Sequence, residues 1–205
     1  VQLRVTALGS DRALKVLRDG LVDVAVVMNN PAFMASPEML VDKLFEEPIE
    51  VLMAANHPLA QYNQLAWSEL TAYPHVVFKD GYGMQRLVQN WFSQQNATIQ
   101  TAMELNTLDA FRGVIRQGEL IALLPSSALV EAHEDPSLAI RAIGNKTSEN
   151  GDQKATLTRE VMFATTRDRA EIPPIKTFRQ LVQQLTTPSP LNLTPDVCPS
   201  LELKS

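Results

Sequence analysis

The sequence predicts an α/β protein made of two lobes that enclose a cleft. Strand and helix patterns alternate in two compact runs, one before Pro48 and one from Trp67 to Ile143. Short runs of Val, Ala and Leu, such as 22–28 and 120–124, are typical of strands buried between helices. A length of 205 residues fits one large domain or two small lobes. Ligands of such folds bind beyond the carboxyl ends of the strands, so we look for chemistry in the cleft.

Composition excludes several classes of protein. Lys and Arg total 18 against 23 Asp and Glu, and the net charge of −5 has the wrong sign for a surface that binds DNA phosphates. The single cysteine, Cys198, predicts neither an internal disulfide nor a structural zinc site. The apolar runs are far shorter than the ~20 residues that span a bilayer, and no signal-peptide pattern opens the chain. We therefore expect a soluble, cytoplasmic protein without a membrane segment.

The first elements follow from a change of hydrophobic period. Residues 1–5 alternate apolar and polar side chains as a half-buried strand does, and Gly9-Ser10-Asp11 forms a turn with a helix N-cap. The following helix, which Gly20 ends, has an apolar stripe of Ala13, Leu14, Val16 and Leu17. Residues 22–28 then predict a buried parallel strand, which completes half of a strand, helix, strand unit.

Later strands are predicted where short apolar runs are bounded by turns or prolines. They are 39–45 and 49–54, joined by a turn at 46–48, then 75–78, 98–105, 120–124, 138–143 and 161–165. Helices are predicted from helical spacing of apolar residues, from caps and from prolines at a helix start. They are 67–71, the segment after Gly81-Tyr82-Gly83, 107–117 closed by Gly118, 126–131 and the segment from Pro173. The polar segment 144–156 predicts a mobile loop.

No catalytic or nucleotide-binding arrangement is found. The histidines His57, His75 and His133 lie far apart in sequence, and no nucleophile elbow or glycine-rich phosphate loop is present. The acidic pairs Glu46-Glu47 and Glu134-Asp135 stand beside prolines and indicate solvated charge rather than an acid–base dyad. We therefore expect neither enzymatic activity nor a cofactor.

Small polar residues at three strand-to-helix turns favour anion binding. These turns are Gly9-Ser10, Gly81-Tyr82-Gly83 and Asn106-Thr107, each followed by a helix whose first N–H groups are free. Arg86 follows the second turn and Lys79 precedes it, and either could pair with a carboxylate or phosphate. A plainer interpretation stays open, in which the polar residues are only helix caps and the two cations are only solvated.

Three motifs in this order resemble one family. They are Val1-x-Leu3-x-Val5 with Gly9-Ser10 and Leu14-x-x-Leu17-x-x-Gly20-x-x-Asp23-x-Ala25-Val26-Val27, then Asn56-His57-Pro58-Leu59-Ala60, then Gln117-Gly118-x-x-Ile121-Ala122-Leu123-Leu124-Pro125. Over residues 1–186 the chain resembles the effector-binding domain of LysR-type transcriptional regulators. It departs from the family at Leu120, where a second glycine is common.

The resemblance implies two Rossmann-like lobes joined by two crossing strands, the type 2 periplasmic-binding-protein-like fold. Lobe I would comprise 1–50 plus 160–186, and lobe II would comprise 55–155. Residues 187–205 lie beyond the resemblance, and their four prolines predict an extended tail. Strands near 48–54 and 157–165 would be the hinges. The family also has a first strand and helix and a DNA-binding helix-turn-helix before the position of Val1, so lobe I is expected to be incomplete in this sequence.

The resemblance also implies a function, which is sensing of a small anionic effector in the cleft to control DNA binding. The expected effector contacts are Thr6, Gly9, Ser10, Asn29, Asn30, Lys79, Tyr82, Arg86, Asn106 and Thr107. The carbon-acquisition regulators of cyanobacteria are the branch it resembles most, which implies 2-oxoglutarate or 2-phosphoglycolate as effector. A homodimer or tetramer is implied, with DNA contacted only through the missing N-terminal domain.

Two other functions remain open at this stage. A solute-binding receptor of a transporter shares the two-lobe plan, and an enzyme could be built on the same scaffold. The receptor predicts an export signal and a monomer, whereas the enzyme needs a nucleophile or an acid–base pair in the cleft.

Overall fold

The fold is described by a computed structural model over residues 2–31, 35–144 and 157–186. Most of the predicted loop 144–156 and the whole predicted tail 187–205 lie outside these residues. The helices are α1 Ser10–Arg18, α2 Trp67–Leu70, α3 Gly83–Gln94, α4 Leu108–Ile115 and α5 Pro173–Thr186. The strands are β1 Val24–Met28, β2 Met39–Ala54, β3 Gln64–Leu65, β4 His75–Phe78, β5 Thr101–Leu105, β6 Ala122–Pro125, β7 Leu138–Ile143 and β8 Thr158–Thr166.

The first lobe is built on an antiparallel sheet in the order β1, β8, β2. Strand β8 pairs with β1 on one side and with the first part of β2, from Met39 to Pro48, on the other. Helix α1 buries Leu14 and Leu17 against one face of this sheet. Helix α5 places Phe178 and Val182 against a small cluster on the opposite face. Apolar burial on both faces fixes these two helices on the sheet.

The second lobe is built around the remainder of β2. Residues 49–54 pair antiparallel with both β6 and β7, and β3 adds to β7 in parallel. Strands β4 and β5 pair in parallel. The Val76 N–H of β4 donates to the carbonyl of Ile121, the residue before β6, at 2.9 Å. Helix α3 packs on one face of this assembly and helix α4 on the other.

Strand β2 runs unbroken through both lobes, which corrects the predicted pair of strands joined by a turn at 46–48. Its 16 residues change partners between Pro48, opposite Thr158 of β8, and Ile49, whose N–H donates to the Leu157 carbonyl at 2.8 Å. The polar residues of the predicted turn stay extended because neighbouring segments supply hydrogen-bond partners for their side chains. Thr158 donates to the Glu46 carboxylate at 2.6 Å, and Arg159 and Ser127 donate to Glu47. The expected pair of crossing segments is confirmed, with β2 as one and the Leu157–Thr158 link as the other.

Two predictions for the first lobe are wrong. Residues 2–7 are exposed and form no strand, with Val5 81% exposed, because no described strand pairs with them. Strand β1 is antiparallel to its neighbour β8 rather than parallel, and Val26 is 54% exposed rather than buried. Both errors have one cause, because local patterning shows that a segment is extended but does not show which strand lies beside it.

Smaller differences lie in the second lobe. The predicted helix 126–131 is replaced by the 3-10 turns Ser126–Ala128 and Glu131–Glu134. Gly118 has a φ of +114°, a conformation that favours glycine, whereas Leu120 keeps a negative φ and packs on the second-lobe core. No helix among the described residues is long and apolar enough to cross a membrane.

Candidate functional site

The amino ends of α1 and α3, one from each lobe, meet at two glycines. Gly9 is the N-cap of α1, and a Cβ atom added to it would lie 2.7 Å from the Gly81 carbonyl oxygen. A Cβ atom on Gly83 would lie 3.3 Å from the terminal methyl carbon of Met28, the last residue of β1. Gly9 lets the two backbones approach closely, and Gly83 leaves room for the Met28 side chain, so the lobes are in contact here.

Ser10 attaches the start of α1 to the end of β1. Its Oγ accepts a hydrogen bond from the Met28 N–H at 3.2 Å. The plainer interpretation of Ser10 as the helix cap is wrong, because Gly9 occupies the N-cap position and Ser10 is the first helical residue. The Ser10 side chain therefore fixes the loop between strand and helix.

Arg86 forms a two-pronged ion pair with Asp11 across the lobes. Nη2 of Arg86 lies 2.9 Å from Oδ1 of Asp11, and Nη1 donates to Oδ2. The Asn30 amide donates to the same Oδ1 at 3.0 Å. The Arg86 hydrogen bond, more than the Asn30 one, lowers the pKa of Asp11, and Asp11 raises the pKa of Arg86. Asp11 therefore forms hydrogen bonds with two of the predicted effector contacts, Arg86 and Asn30.

Asn29 is attached to strand β8. Its side-chain amide donates to Glu160 Oε2 at 2.6 Å, and its backbone N–H donates to the Glu160 carbonyl at 2.9 Å. Lys43 of β2 lies 2.6 Å from the other carboxylate oxygen of Glu160 and 3.0 Å from Glu46. Lys43 first, and Asn29 second, lower the pKa of Glu160. A polar chain thus leads from the cleft onto the crossing strands.

The second lobe contributes the carboxyl ends of β4 and β5. The Lys79 N–H donates to the Leu105 carbonyl at 3.0 Å, which brings Lys79 beside the Asn106-Thr107 turn. Thr107 Oγ1 accepts from the Ala110 N–H at 3.4 Å and caps α4, as the plainer interpretation has it. The Lys79 ammonium and the Asn106 amide are exposed and have no hydrogen-bond partner within the described ranges.

The ten predicted contacts therefore fall into four groups. Gly9, Ser10, Asn30, Tyr82 and Arg86 lie where α1 and α3 meet, with the Tyr82 ring stacked on Phe78 at 5.5 Å. Lys79, Asn106 and Thr107 lie along the adjoining strand ends. Asn29 follows β1 and is hydrogen-bonded to Glu160 of β8. Thr6 lies in the exposed segment before α1.

Sequence reasoning missed Asp11, Lys43 and Glu160 as members of this region. Asp11 carried a readable signal, since an acidic residue in the first turn of a helix favours the positive end of the helix dipole. Lys43 and Glu160 carried none, because they lie 117 positions apart in the chain.

A buried ion pair lies at the point where β2 passes between the sheets. The Glu47 side chain is 9% exposed, and its Oε1 accepts from Arg159 Nε at 2.7 Å. Its Oε2 accepts from the Ser127 N–H of the second lobe at 2.8 Å. These contacts tie a turn of the second lobe to both crossing segments.

A groove of about 410 Å³ lies in the first lobe at the carboxyl end of α1, away from the candidate site. It is lined in part by Arg18, Arg167 and Arg169. Arg169 donates to the Val22 carbonyl at 3.0 Å and to Gly20, and Arg167 donates to the Pro37 carbonyl at 2.8 Å. Arg167 and Arg169 therefore hold loops of the first lobe.

Comparison with known proteins gives a consistent picture. The family model of the LysR substrate binding domain matches residues 1–187. The chain is 47% identical over 187 residues to a probable nitrogen assimilation transcriptional activator of Synechococcus elongatus. It is 44% identical over 182 residues to a protein of the same description from Synechocystis sp.. The matches cover 91% and 89% of this chain but 58% of each relative, so the chain spans little more than half of their length.

Solved structures show the same fold. The Synechocystis CcmR regulatory domain in complex with 2-PG matches with a TM-score of 0.73 at 18% identity, over 88% of this chain and 81% of that one. The effector-binding domain of QuiR in complex with shikimate matches with a TM-score of 0.69 at 20% identity, over 87% and 78%. The relatives are named as transcriptional regulators, so the transporter-receptor alternative is not favoured. This chain belongs to the LysR substrate-binding domain family.

Proposed function

We propose that this chain is the ligand-sensing domain of a LysR-type transcriptional regulator and that it binds a small anionic metabolite between its lobes. The observation that carries the proposal is the convergence of Arg86 and Asn30, from different lobes, on one carboxylate oxygen of Asp11. A site that already holds a carboxylate has the donors that a carboxylate or phosphate ligand needs.

The proposed site comprises the ten predicted contacts, with the lobes as bounded from the sequence: 1–50 plus 160–186, and 55–155. The free N–H groups at the starts of α1, α3 and α4 favour negative charge. Lys79 adds a cation without a described partner at the same edge. In this proposal the effector binds without a cofactor, and no bond of the ligand changes.

The effector would act by shifting the populations of lobe orientations. In a homodimer or tetramer that shift would re-space the DNA-binding domains, which the helix-turn-helix of the full-length regulator would supply. We place the regulator in the cytoplasm, where bacterial DNA is found, and the relatives' names suggest control of nitrogen assimilation.

Candidate effectors are 2-oxoglutarate and 2-phosphoglycolate. Support comes from CcmR and QuiR, whose regulatory domains are known with 2-PG and shikimate, each an acid. Assignment to the carbon-acquisition branch rests on the resemblance, whereas the relatives of 44–47% identity are named for nitrogen assimilation.

Calorimetry on the full-length regulator tests the proposal. Titration with 2-oxoglutarate, 2-phosphoglycolate and shikimate should give saturable binding of at least one acid. Lys79→Ala should weaken that binding about tenfold, since a charge-assisted hydrogen bond to an anion is lost. Lys176→Ala is the matched control, because Lys176 of α5 is an exposed cation that pairs with Glu171, away from the site. Absence of binding by all three acids, or equal binding by the Lys79 and Lys176 variants, would contradict the proposed site.

A further inference from the structure

We infer that Asp11 is an internal competitor of the effector: its carboxylate occupies Arg86 and Asn30, and an anionic ligand must displace it to bind. The inference rests on the proposed function and assigns to that site a residue that sets its affinity.

The geometry around Asp11 is that of a bound carboxylate. Both terminal nitrogens of Arg86 donate to its two oxygens, and the Asn30 amide donates to Oδ1. Two-pronged contacts of this kind are how Arg recognises free carboxylates and phosphates. Arg86 and Asn30 are also residues expected, on independent grounds, to contact the effector. The Asp11 side chain thus takes the position that the ligand's acid group would take.

Charge at the site points the same way. Asp11 neutralises Arg86, and Asp80 also raises the pKa of Arg86 through its negative charge. Lys79, by contrast, is an exposed cation with no hydrogen-bond partner among the described residues. A ligand that paired only with Lys79 would lack the directional hydrogen bonds that Arg86 can donate. Specific binding therefore requires the ligand to displace Asp11 from Arg86.

Exposure shows that the exchange is feasible. The side chains of Arg86 and Asp11 are 45% and 25% exposed, so solutes reach the pair from solvent. Exposed ion pairs are weak, because water solvates both partners when they separate. A released Asp11 carboxylate would be hydrated without cost from burial, and the ligand would take over the two-pronged contact.

Displacement would couple binding to movement of the lobes. Asp11 belongs to α1 of the first lobe and Arg86 to α3 of the second, so their pair is a charged link between lobes. A ligand that takes Arg86 from Asp11 replaces this link with contacts of its own. The ligand class is a small oxyanion, such as a carboxylate or phosphate, with two oxygens that can accept from both terminal nitrogens of Arg86. Halides, which have no such pair of acceptors, are excluded.

The test compares Asp11→Asn with the unchanged full-length regulator in titrations with inorganic phosphate and with 2-oxoglutarate. The substitution keeps the size of the side chain and removes its charge. Asp42→Asn is the matched control, since Asp42 forms a similar two-pronged pair with Arg179 within the first lobe. Arg86→Gln in the Asp11→Asn background removes the site that the ligand would gain. Circular dichroism confirms that each variant is folded.

We expect Asp11→Asn to bind one of the two probes about fivefold more tightly, the effect of removing one exposed competing charge. Asp42→Asn should bind like the unchanged protein, and the double variant should lose the gain. Binding seen only in Asp11→Asn would support the inference in its strongest form. If the unchanged protein binds a probe and Asp11→Asn does not bind it more tightly, the inference is overturned while the proposed function stands. If neither protein binds either probe, the inference is overturned, and the proposed function is decided by the titrations with the three acids.

Discussion

The two lobes obtain their stability in different ways. The second lobe has an extensive apolar cluster on each face of its sheet, one filled by α3 and one by α4. The clusters of the first lobe are smaller, and α5 contributes only partly buried side chains to one of them. Charged pairs occur in both lobes, for example Asp42–Arg179 in the first, whose Oδ1 and Nη2 atoms lie 2.7 Å apart, and Arg116–Asp135 in the second. The comparison teaches that the lobes differ in the size of their apolar clusters rather than in their ion pairs, and that polar contacts such as Asp11–Arg86 join them.

The largest effect is expected from truncating a core aromatic side chain in each lobe. Phe111 of α4 is fully buried, and Phe111→Ala should lower the free energy of unfolding by about 3–5 kcal/mol. Phe178 of α5 is only partly buried, and Phe178→Ala should lower it by about 1–2 kcal/mol, because less apolar area is lost. Urea unfolding measures both. Equal losses would show that the lobes do not differ in the way described.

The next effect concerns the contact between the lobes at Glu47. Glu47→Ala leaves Arg159 and the Ser127 N–H without their acceptor, and should cost about 2–3 kcal/mol in the free energy of unfolding. Glu46→Ala, next to it but on an exposed side chain, is the control and should change stability little. A small effect of Glu47→Ala would mean that the Glu47 contacts contribute little to holding the lobes together.

His75 makes the stability of the second lobe depend on pH. Burial lowers the pKa of His75 to about 4, which the Tyr73 backbone opposes in part, and neither ring nitrogen has a well-aligned hydrogen bond to a described residue. Above about pH 6.5 the ring is neutral in both folded and unfolded chains, so its contribution is constant.

As the pH falls from about 6.5 towards 4, the unfolded chain takes up a proton that the folded chain does not bind, and the free energy of unfolding falls by up to about 1.4 kcal/mol per pH unit. Urea unfolding at stepped pH measures this slope. His75→Leu should flatten it, whereas substitution of the exposed His133 by Gln should not. If the free energy of unfolding of His75→Leu fell with pH as steeply as that of the unchanged protein, the pH dependence would come from other groups.

The smallest expected effect is at the cap of α4. Thr107→Ala removes the side-chain acceptor of the Ala110 N–H and should cost about 1 kcal/mol of stability. Thr107→Ser should restore most of it. If Thr107→Ala cost no stability in urea unfolding, the hydrogen bond from the Ala110 N–H to Thr107 would not stabilise α4.

Much of the second lobe could be predicted from sequence, since α3, α4, β4 and β7 are local patterns of apolar spacing, caps and turns. The first lobe was harder, because the direction of β1 depends on β8, which lies more than 130 positions later in the chain. The candidate site shows the same division. Gly9 and Thr107 lie in readable turns, whereas the partner of Arg86 is Asp11, 75 positions away, and no local pattern relates the two.

The continuity of β2 limits how the lobes can move relative to each other. One strand is hydrogen-bonded into both sheets, so sliding of one lobe along the other would have to break backbone ladders on both sides of Pro48. Bending or torsion of the strand near Pro48 and Ile49 leaves both ladders intact. Any reorientation of the lobes would therefore be a rotation about this pivot rather than a shear, and small angles at the pivot would give larger displacements at the far ends of α1 and α4.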